Sequence, residues 1–132
     1  MTNQAQQKIV QHALAVRDHA YAPYSKFQVG AAVLADDGSI FSGANVENSS
    51  YSLSICAERV AAASAVAAGQ QKFAAIAIAT SGGAPPCGAC RQFLAEFSPE
   101  MKVLLVDADQ PQHVRETTLD KLLPEQFELG GK

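Results

Sequence analysis

The chain is expected to fold as an α/β protein, a three-layer α-β-α sandwich with helices on both faces of a central mixed five-stranded sheet. Helical and strand-like segments alternate in the order α-β-β-α-β-α-β-β-α, with no repeat, linker or low-complexity stretch between them. Two segments, KFAAIAIATS (72–81) and KVLLVDA (102–108), are near-continuous apolar runs, as strands covered on both faces require. A length of 132 residues, 48% hydrophobic and 17% charged, suits a single domain over 1–132 with one continuous core.

Residues 3–20 put Ile9, Val10, Ala13, Leu14, Val16 and Ala20 on one face at helical spacing, with Thr2 or Asn3 as the cap and Pro23 as the stop. FQVGAAVLA (27–35) and SIFSGANVE (39–47) read as strands joined through Asp36-Asp37-Gly38, a hairpin signal. The polar connection NSSYS (48–52) leads to CAERVAAASAVAAG (56–69), a helix closed by Gly69. After the strand at 72–81, the loop SGGAPP feeds CGACRQFLAEF (87–97), a helix with Pro86 at or near its first position. Following the strand at 102–108, HVRETT (113–118) is a fifth, weaker strand, and LDKLL (119–123) a short helix stopped by Pro124. A right-handed crossover is expected between the third and fourth strands.

Ten basic residues against thirteen acidic ones, with no Lys/Arg run, argue against a nucleic-acid partner. The polar start MTNQAQQKIV carries no secretory signal, and no apolar stretch reaches the roughly 18 residues of a membrane span. The expected compartment is the cytoplasm, where thiols stay reduced. Three cysteines are an odd number for a disulfide framework in a chain that needs none, so thiols with a chemical task are expected.

Cys87 and Cys90 form a C-x-x-C at a helix start, where the helix dipole and free N–H groups favour thiolates. Cys56 opens the preceding helix, and the strand between can bring both helix starts to one end of the sheet. Three thiolates suit Zn²⁺, which wants a fourth partner. His12, His19 and His113 lack ligand spacing to the cysteines, so the fourth position is open and predicts an acidified water. Glu58, two residues after Cys56, is placed to shuttle protons, and Arg59, one turn on, to offset thiolate charge. A C-x-x-C redox pair and a structural Cys₃His zinc are the alternatives by residue type, but the first leaves Cys56 and Glu58 without a task.

C-A-E-R (56–59) followed by P-C-G-A-C-R-Q (86–92) resembles the zinc-dependent cytidine and deoxycytidylate deaminase superfamily. The likeness extends to A-P-Y-S-K-F-Q-V-G-A-A (22–32), G-A-N-V-E-N-S-S-Y (43–51) and L-L-P-E-Q-F (122–127), and its three-cysteine form is similar to the small homotetrameric enzymes for free nucleosides. The resemblance implies one zinc per chain on Cys56, Cys87 and Cys90, and Glu58 as the proton shuttle. It further implies Asn45 and Glu47 on the ribose hydroxyls, Phe27 against the pyrimidine and the Ala57 backbone at the base edge. Tyr51 and Phe127 would reach or border a neighbouring subunit's site, and Arg59 would moderate thiolate charge. The implied reaction is hydrolytic deamination of cytidine and 2′-deoxycytidine by a zinc-bound hydroxide, in pyrimidine salvage. A deaminase of a cytosine-bearing antibiotic of the blasticidin type and a non-catalytic zinc-stabilised binding module are the rival readings. After Phe127 the chain reads ELGGK, where members often continue further.

Overall fold

The computed structural model describes residues 1–130, so the last two residues of the ELGGK tail lie outside the described residues. The elements are α1 (Asn3–Arg17), β1 (Gly30–Ala35), β2 (Ile40–Ala44), a 3-10 turn (Tyr51–Leu53), α2 (Ala57–Ala67), β3 (Phe73–Thr80), α3 (Gly88–Ala95), β4 (Lys102–Asp107), β5 (Val114–Thr118) and α4 (Leu119–Leu122). The strands form one sheet in the order β2-β1-β3-β4-β5. Only β3 and β4 pair in parallel, and α3 makes the crossover that a parallel pair needs; the other three pairings are antiparallel. The mixed five-stranded α/β sandwich expected from the sequence is the observed architecture.

Period-two alternation divides the sheet's side chains between two layers. Ala31, Val33, Ile76, Ile78, Val103 and Leu105 join the cluster that includes α2, α3 and α4 residues. Ala32, Leu34, Ala75, Ala77, Ala79, Leu104 and Val106 face the other way, with Ile9 and Ala13 of α1. Helix α1 lies across β1, β2 and β3, and the alanines beneath it permit a close approach. At Gly30 that approach is backbone to backbone, since a Cβ there would sit 2.0 Å from the Ala13 carbonyl oxygen. Gly43 does the same on the opposite face: a Cβ would fall 2.4 Å from the Ala61 nitrogen and 2.8 Å from the Ala57 carbonyl oxygen. The first two turns of α2 therefore rest directly on β2.

Helix ends follow local chemistry. Thr2 caps α1 by accepting from the Ala5 N–H at 3.1 Å, and α1 ends at Arg17, three residues earlier than its apolar pattern suggests. At the end of α2, Gly69 takes φ 93°, its N–H donating to the Val66 carbonyl and that of Gln70 to the Ala65 carbonyl. Pro86 is buried just outside α3 rather than within it, because Cys87 occupies the N-cap. The first strand starts at Gly30 rather than at residue 27, for a reason that belongs to the site. The outer strand β5 is mostly exposed, and its Glu116 forms an ion pair with Lys102 of β4 at 2.7 Å.

Candidate active site

The C-terminal end of β3 delivers the chain to a loop and then to α3, beside the start of α2. Cys56 is the N-cap of α2, Cys87 the N-cap of α3, and Cys90 lies in the first turn of α3. The three sulfur atoms lie within 4.8 Å of one another. Thiolates about 2.3 Å from a tetrahedral zinc stand roughly 3.8 Å apart, so this donor set fits Zn²⁺ with modest closure. Among the described residues, it is the group of His, Cys, Asp or Glu side chains that could hold a metal. None of the three histidines belongs to it: His12 is exposed on α1, His19 is exposed just after α1, and His113 is exposed before β5.

Two interactions fix the loop that carries Cys87. The buried Thr80 hydroxyl accepts from the Ala84 N–H at 2.7 Å. Arg91 donates through Nε to the Pro86 carbonyl at 2.8 Å and through Nη1 to the Leu122 carbonyl at 2.9 Å, tying the loop to α4. Hydrogen bonding from the Cys90 thiol, and then the neighbouring Arg59, hold the Cys56 thiol down to about 5 against the effect of burial. Cys90 is pushed up by its bond to Cys56 and by burial. The cluster therefore favours the thiolate at Cys56, the form in which a cysteine binds metal.

Glu58, in the first turn of α2, is 5% exposed. Burial, reinforced by the Cys56 charge, raises its carboxyl to about 7, while its own backbone N–H and Arg59 pull the other way. Arg59 Nη2 donates to Cys56 Sγ at 3.6 Å. Both residues therefore stand where the C-A-E-R spacing places them.

Cys56, Glu58 and Cys87 line a cleft of about 340 Å³. Phe27, Asn45, Glu47, Tyr51 and Ala57 all line it, so five of the six expected substrate contacts converge on one space. Ala57 is the first residue of α2, where N–H groups have no intrahelical partner and can meet a ligand. Asn45 and Glu47 follow β2, and the exposed Val46 between them bridges Tyr21 and Ile55. Alternation then turns the amide and the carboxylate inward together.

Both side chains are already engaged. Asn45 Oδ1 accepts from the Val29 N–H at 2.8 Å, and Nδ2 donates to the Phe27 carbonyl at 2.9 Å. This side chain replaces part of the ladder, which is why β1 starts only at Gly30. Glu47 Oε1 accepts from the Tyr24 and Ser25 N–H groups at 3.0 and 3.1 Å. Its Oε2 accepts from the Ser25 hydroxyl and, at 3.4 Å, from the Tyr51 hydroxyl. The Ser25 hydroxyl, followed by these N–H groups and Tyr51, holds the Glu47 carboxyl below its ordinary value despite burial.

Phe127 is not part of this cleft. It is 69% exposed, and its carbonyl accepts from Gln92 Nε2 at 2.9 Å. The sequence reading also left Ser25, Thr80 and Arg91 without roles. The turn run P-Y-S-K signals Ser25, and the position next to the C-x-x-C signals Arg91; nothing local marks Thr80.

Residues 3–106 match the family described as the cytidine and deoxycytidylate deaminase zinc-binding region. The chain is 48% identical over 124 residues to a cytidine deaminase of Sporosarcina psychrophila, covering 92% of this chain and 90% of that one. It is similar in structure to a cytidine deaminase of Burkholderia pseudomallei, with TM-score 0.85, 47% identity, and 96% and 100% of the two chains covered. A cytidine deaminase of Mycobacterium tuberculosis superposes with TM-score 0.80 at 38% identity, over 94% of this chain and 98% of that one.

Proposed function

Since this chain belongs to the cytidine and deoxycytidylate deaminase family and catalyses zinc-dependent hydrolytic deamination of cytidine, we propose that the work is divided among its cleft residues as follows. Cys56, Cys87 and Cys90 hold one zinc ion. When bound, zinc supplies the Lewis acidity that makes a water molecule nucleophilic near neutral pH. Glu58 takes a proton from the attacking water, delivers it to N3 of the pyrimidine, and then carries a proton to the departing 4-amino group. One carboxylate thus serves as base and then as acid, with ammonia and uridine as products. Arg59 balances thiolate charge at the edge of the cluster.

Phe27 packs on the pyrimidine, and the Ala57 backbone meets its polar edge. Asn45 retains one amide hydrogen and one lone pair for a ribose hydroxyl after its two backbone contacts. A hydroxyl arriving at Glu47 Oε2 competes with Tyr51, the longest of that carboxylate's four contacts. The same cleft accepts 2′-deoxycytidine, since Asn45 and Glu47 can hold the 3′-hydroxyl alone.

The observation that carries this reading is the convergence of the thiol cluster and buried Glu58 on one cleft with Phe27, Asn45 and Glu47. The further proposal is one deaminase domain over 1–132, acting in cytoplasmic pyrimidine salvage as a homotetramer. In that assembly, exposed Tyr51 and Phe127 serve or border neighbouring sites. No helix among the described residues is long and apolar enough to cross a membrane. An ultraviolet assay with cytidine, 2′-deoxycytidine and blasticidin, run alongside zinc determination, is the test. Conversion of both nucleosides with one zinc per chain is expected; a zinc-loaded protein that leaves cytidine intact would refute the assignment.

A further inference from the structure

Between Glu47 and Phe27 lies a residue that touches both. The Ser25 hydroxyl donates to Glu47 Oε2 and accepts from the Phe27 N–H at 3.0 Å. The residue between Ser25 and Phe27, Lys26, has φ 61°, a conformation that a side chain with a Cβ seldom adopts without support. Its own N–H donates to the Ala22 carbonyl at 3.0 Å, which closes the turn on the upstream side. On the downstream side, the Phe27 carbonyl is held by Asn45. Phe27 is thus gripped through its N–H by Ser25 and through its carbonyl by Asn45, while its ring faces the cleft and remains 43% exposed.

We propose that Ser25 is a positioning residue that couples the two ends of the nucleoside site, so that the carboxylate facing the sugar also sets the aromatic ring facing the base. The inference rests on the nucleoside reading of the cleft. The hydroxyl serves as donor to one end and acceptor for the other, and no other side chain among the described residues bridges Glu47 and Phe27 directly. Removing it leaves the Phe27 N–H without its acceptor and the carboxylate without its side-chain donor from the turn. An exposed turn can relax after such a loss, so the fold survives and the ring's placement is what suffers.

Three variants and one non-kinetic probe test this. Ser25→Ala is expected to raise KM for cytidine about tenfold with kcat within about threefold, the pattern of lost ground-state and transition-state binding in equal measure. Ser25→Thr keeps the hydroxyl and stays near wild type. Ser25→Val has the shape of threonine without the hydroxyl and behaves like Ser25→Ala. In a Phe27→Leu background, removing the hydroxyl raises KM by much less, because the ring that it places is gone. Amide hydrogen exchange in the substrate-free proteins should quicken at Phe27 in the Ala and Val variants and not in the Thr variant. Unchanged KM in Ser25→Ala, equal losses in Thr and Val, or fully additive losses with Phe27→Leu would each overturn the coupling while leaving the deaminase reading intact. If wild-type protein with full zinc fails to turn over cytidine, the underlying reading fails and the coupling falls with it.

Discussion

Arg59 Nη2 stands 3.6 Å from Cys56 Sγ, while Nε of the same guanidinium is buried without a hydrogen-bond partner among the described residues. The side chain is held at the thiol by charge more than by a full set of hydrogen bonds. Cys56, lowered to about 5 chiefly by Cys90 and then by Arg59, should respond when that charge is removed. In metal-free Arg59→Gln protein, the pH midpoint for alkylation of Cys56 is expected to move upward by about one pH unit. An unmoved midpoint would show that the neighbouring thiols, and not Arg59, set the thiolate.

Glu58→Gln should keep its zinc and lose turnover. The amide fills the same buried space but cannot accept and return a proton. A loss of about 10²-fold to 10⁴-fold in kcat is expected, with zinc remaining at one per chain by metal analysis. Turnover near the wild-type rate would remove Glu58 from the mechanism.

The thiols can be assigned by metal content. Replacing any one of Cys56, Cys87 and Cys90 by Ala should leave the purified protein with far less than one zinc and no measurable turnover. Cys90→Ala should also unfold at lower denaturant than Cys87→Ala, because Cys90 is fully buried and Cys87 exposed. Full zinc in any of the three would strike that residue from the ligand set.

Gly43→Ala should damage both the fold and the site. The new methyl would meet backbone atoms of Ala61 and Ala57, which cannot rotate away, so α2 must lift from β2. A cost of about 1–3 kcal/mol in urea unfolding is expected, with reduced zinc retention because Cys56 and Glu58 move with the helix. Gly38→Ala is the control: its φ is 91° and nothing lies within 4 Å, so only backbone strain of about 1 kcal/mol should appear, with zinc and kcat unchanged. Equal effects at the two glycines would contradict the close packing at β2.

Glu47 links the cleft to acidity. Its carboxyl lies below the ordinary value of 4.5, so its ionised form is favoured by folding. The associated stability is complete above that ordinary value and is lost as pH falls through the lowered one. The difference in Tm between wild type and Glu47→Gln should therefore be constant near neutrality and shrink only below about pH 4.5. A difference that fades already between pH 7 and 6 would mean that the carboxyl is not held low.

The thiols, Glu58 and the helix starts were legible because their chemistry is tied to short spacings: a C-x-x-C on one helical face, and Glu58 two residues after Cys56 in the first turn of α2. The hairpin at Asp36-Asp37-Gly38 was legible for the same reason, since its glycine supplies a positive φ. The start of β1 was not. Phe27 and Val29 look like strand residues, yet their backbone groups bond to the Asn45 side chain, a partner 16 or more positions away. The central place of β1 between β2 and β3 depends likewise on distant pairing. Local signals mark Ser25 and Arg91, but their distant partners, the Glu47 carboxylate and the Leu122 carbonyl, are brought near only by the folded chain, so sequence alone assigns them no role. Phe127, named through resemblance, lies outside its own chain's cleft, so its role depends on an assembly rather than on this fold.

The cleft is lined by α2, β3, the 3-10 turn and the loops before β1, after β2 and before α3, and no lining residue comes from α1 or from the alanine-rich layer beneath it. Ala32, Ala75, Ala77 and Ala79 can therefore be varied together with Ile9 and Ala13 without altering a group that touches substrate. The sheet acts as a partition between two separately adjustable properties. Heat resistance can be improved from the α1 side by compensated repacking, and catalytic specificity can be changed from the α2 side. An engineer, or natural selection, can work on either without first undoing the other.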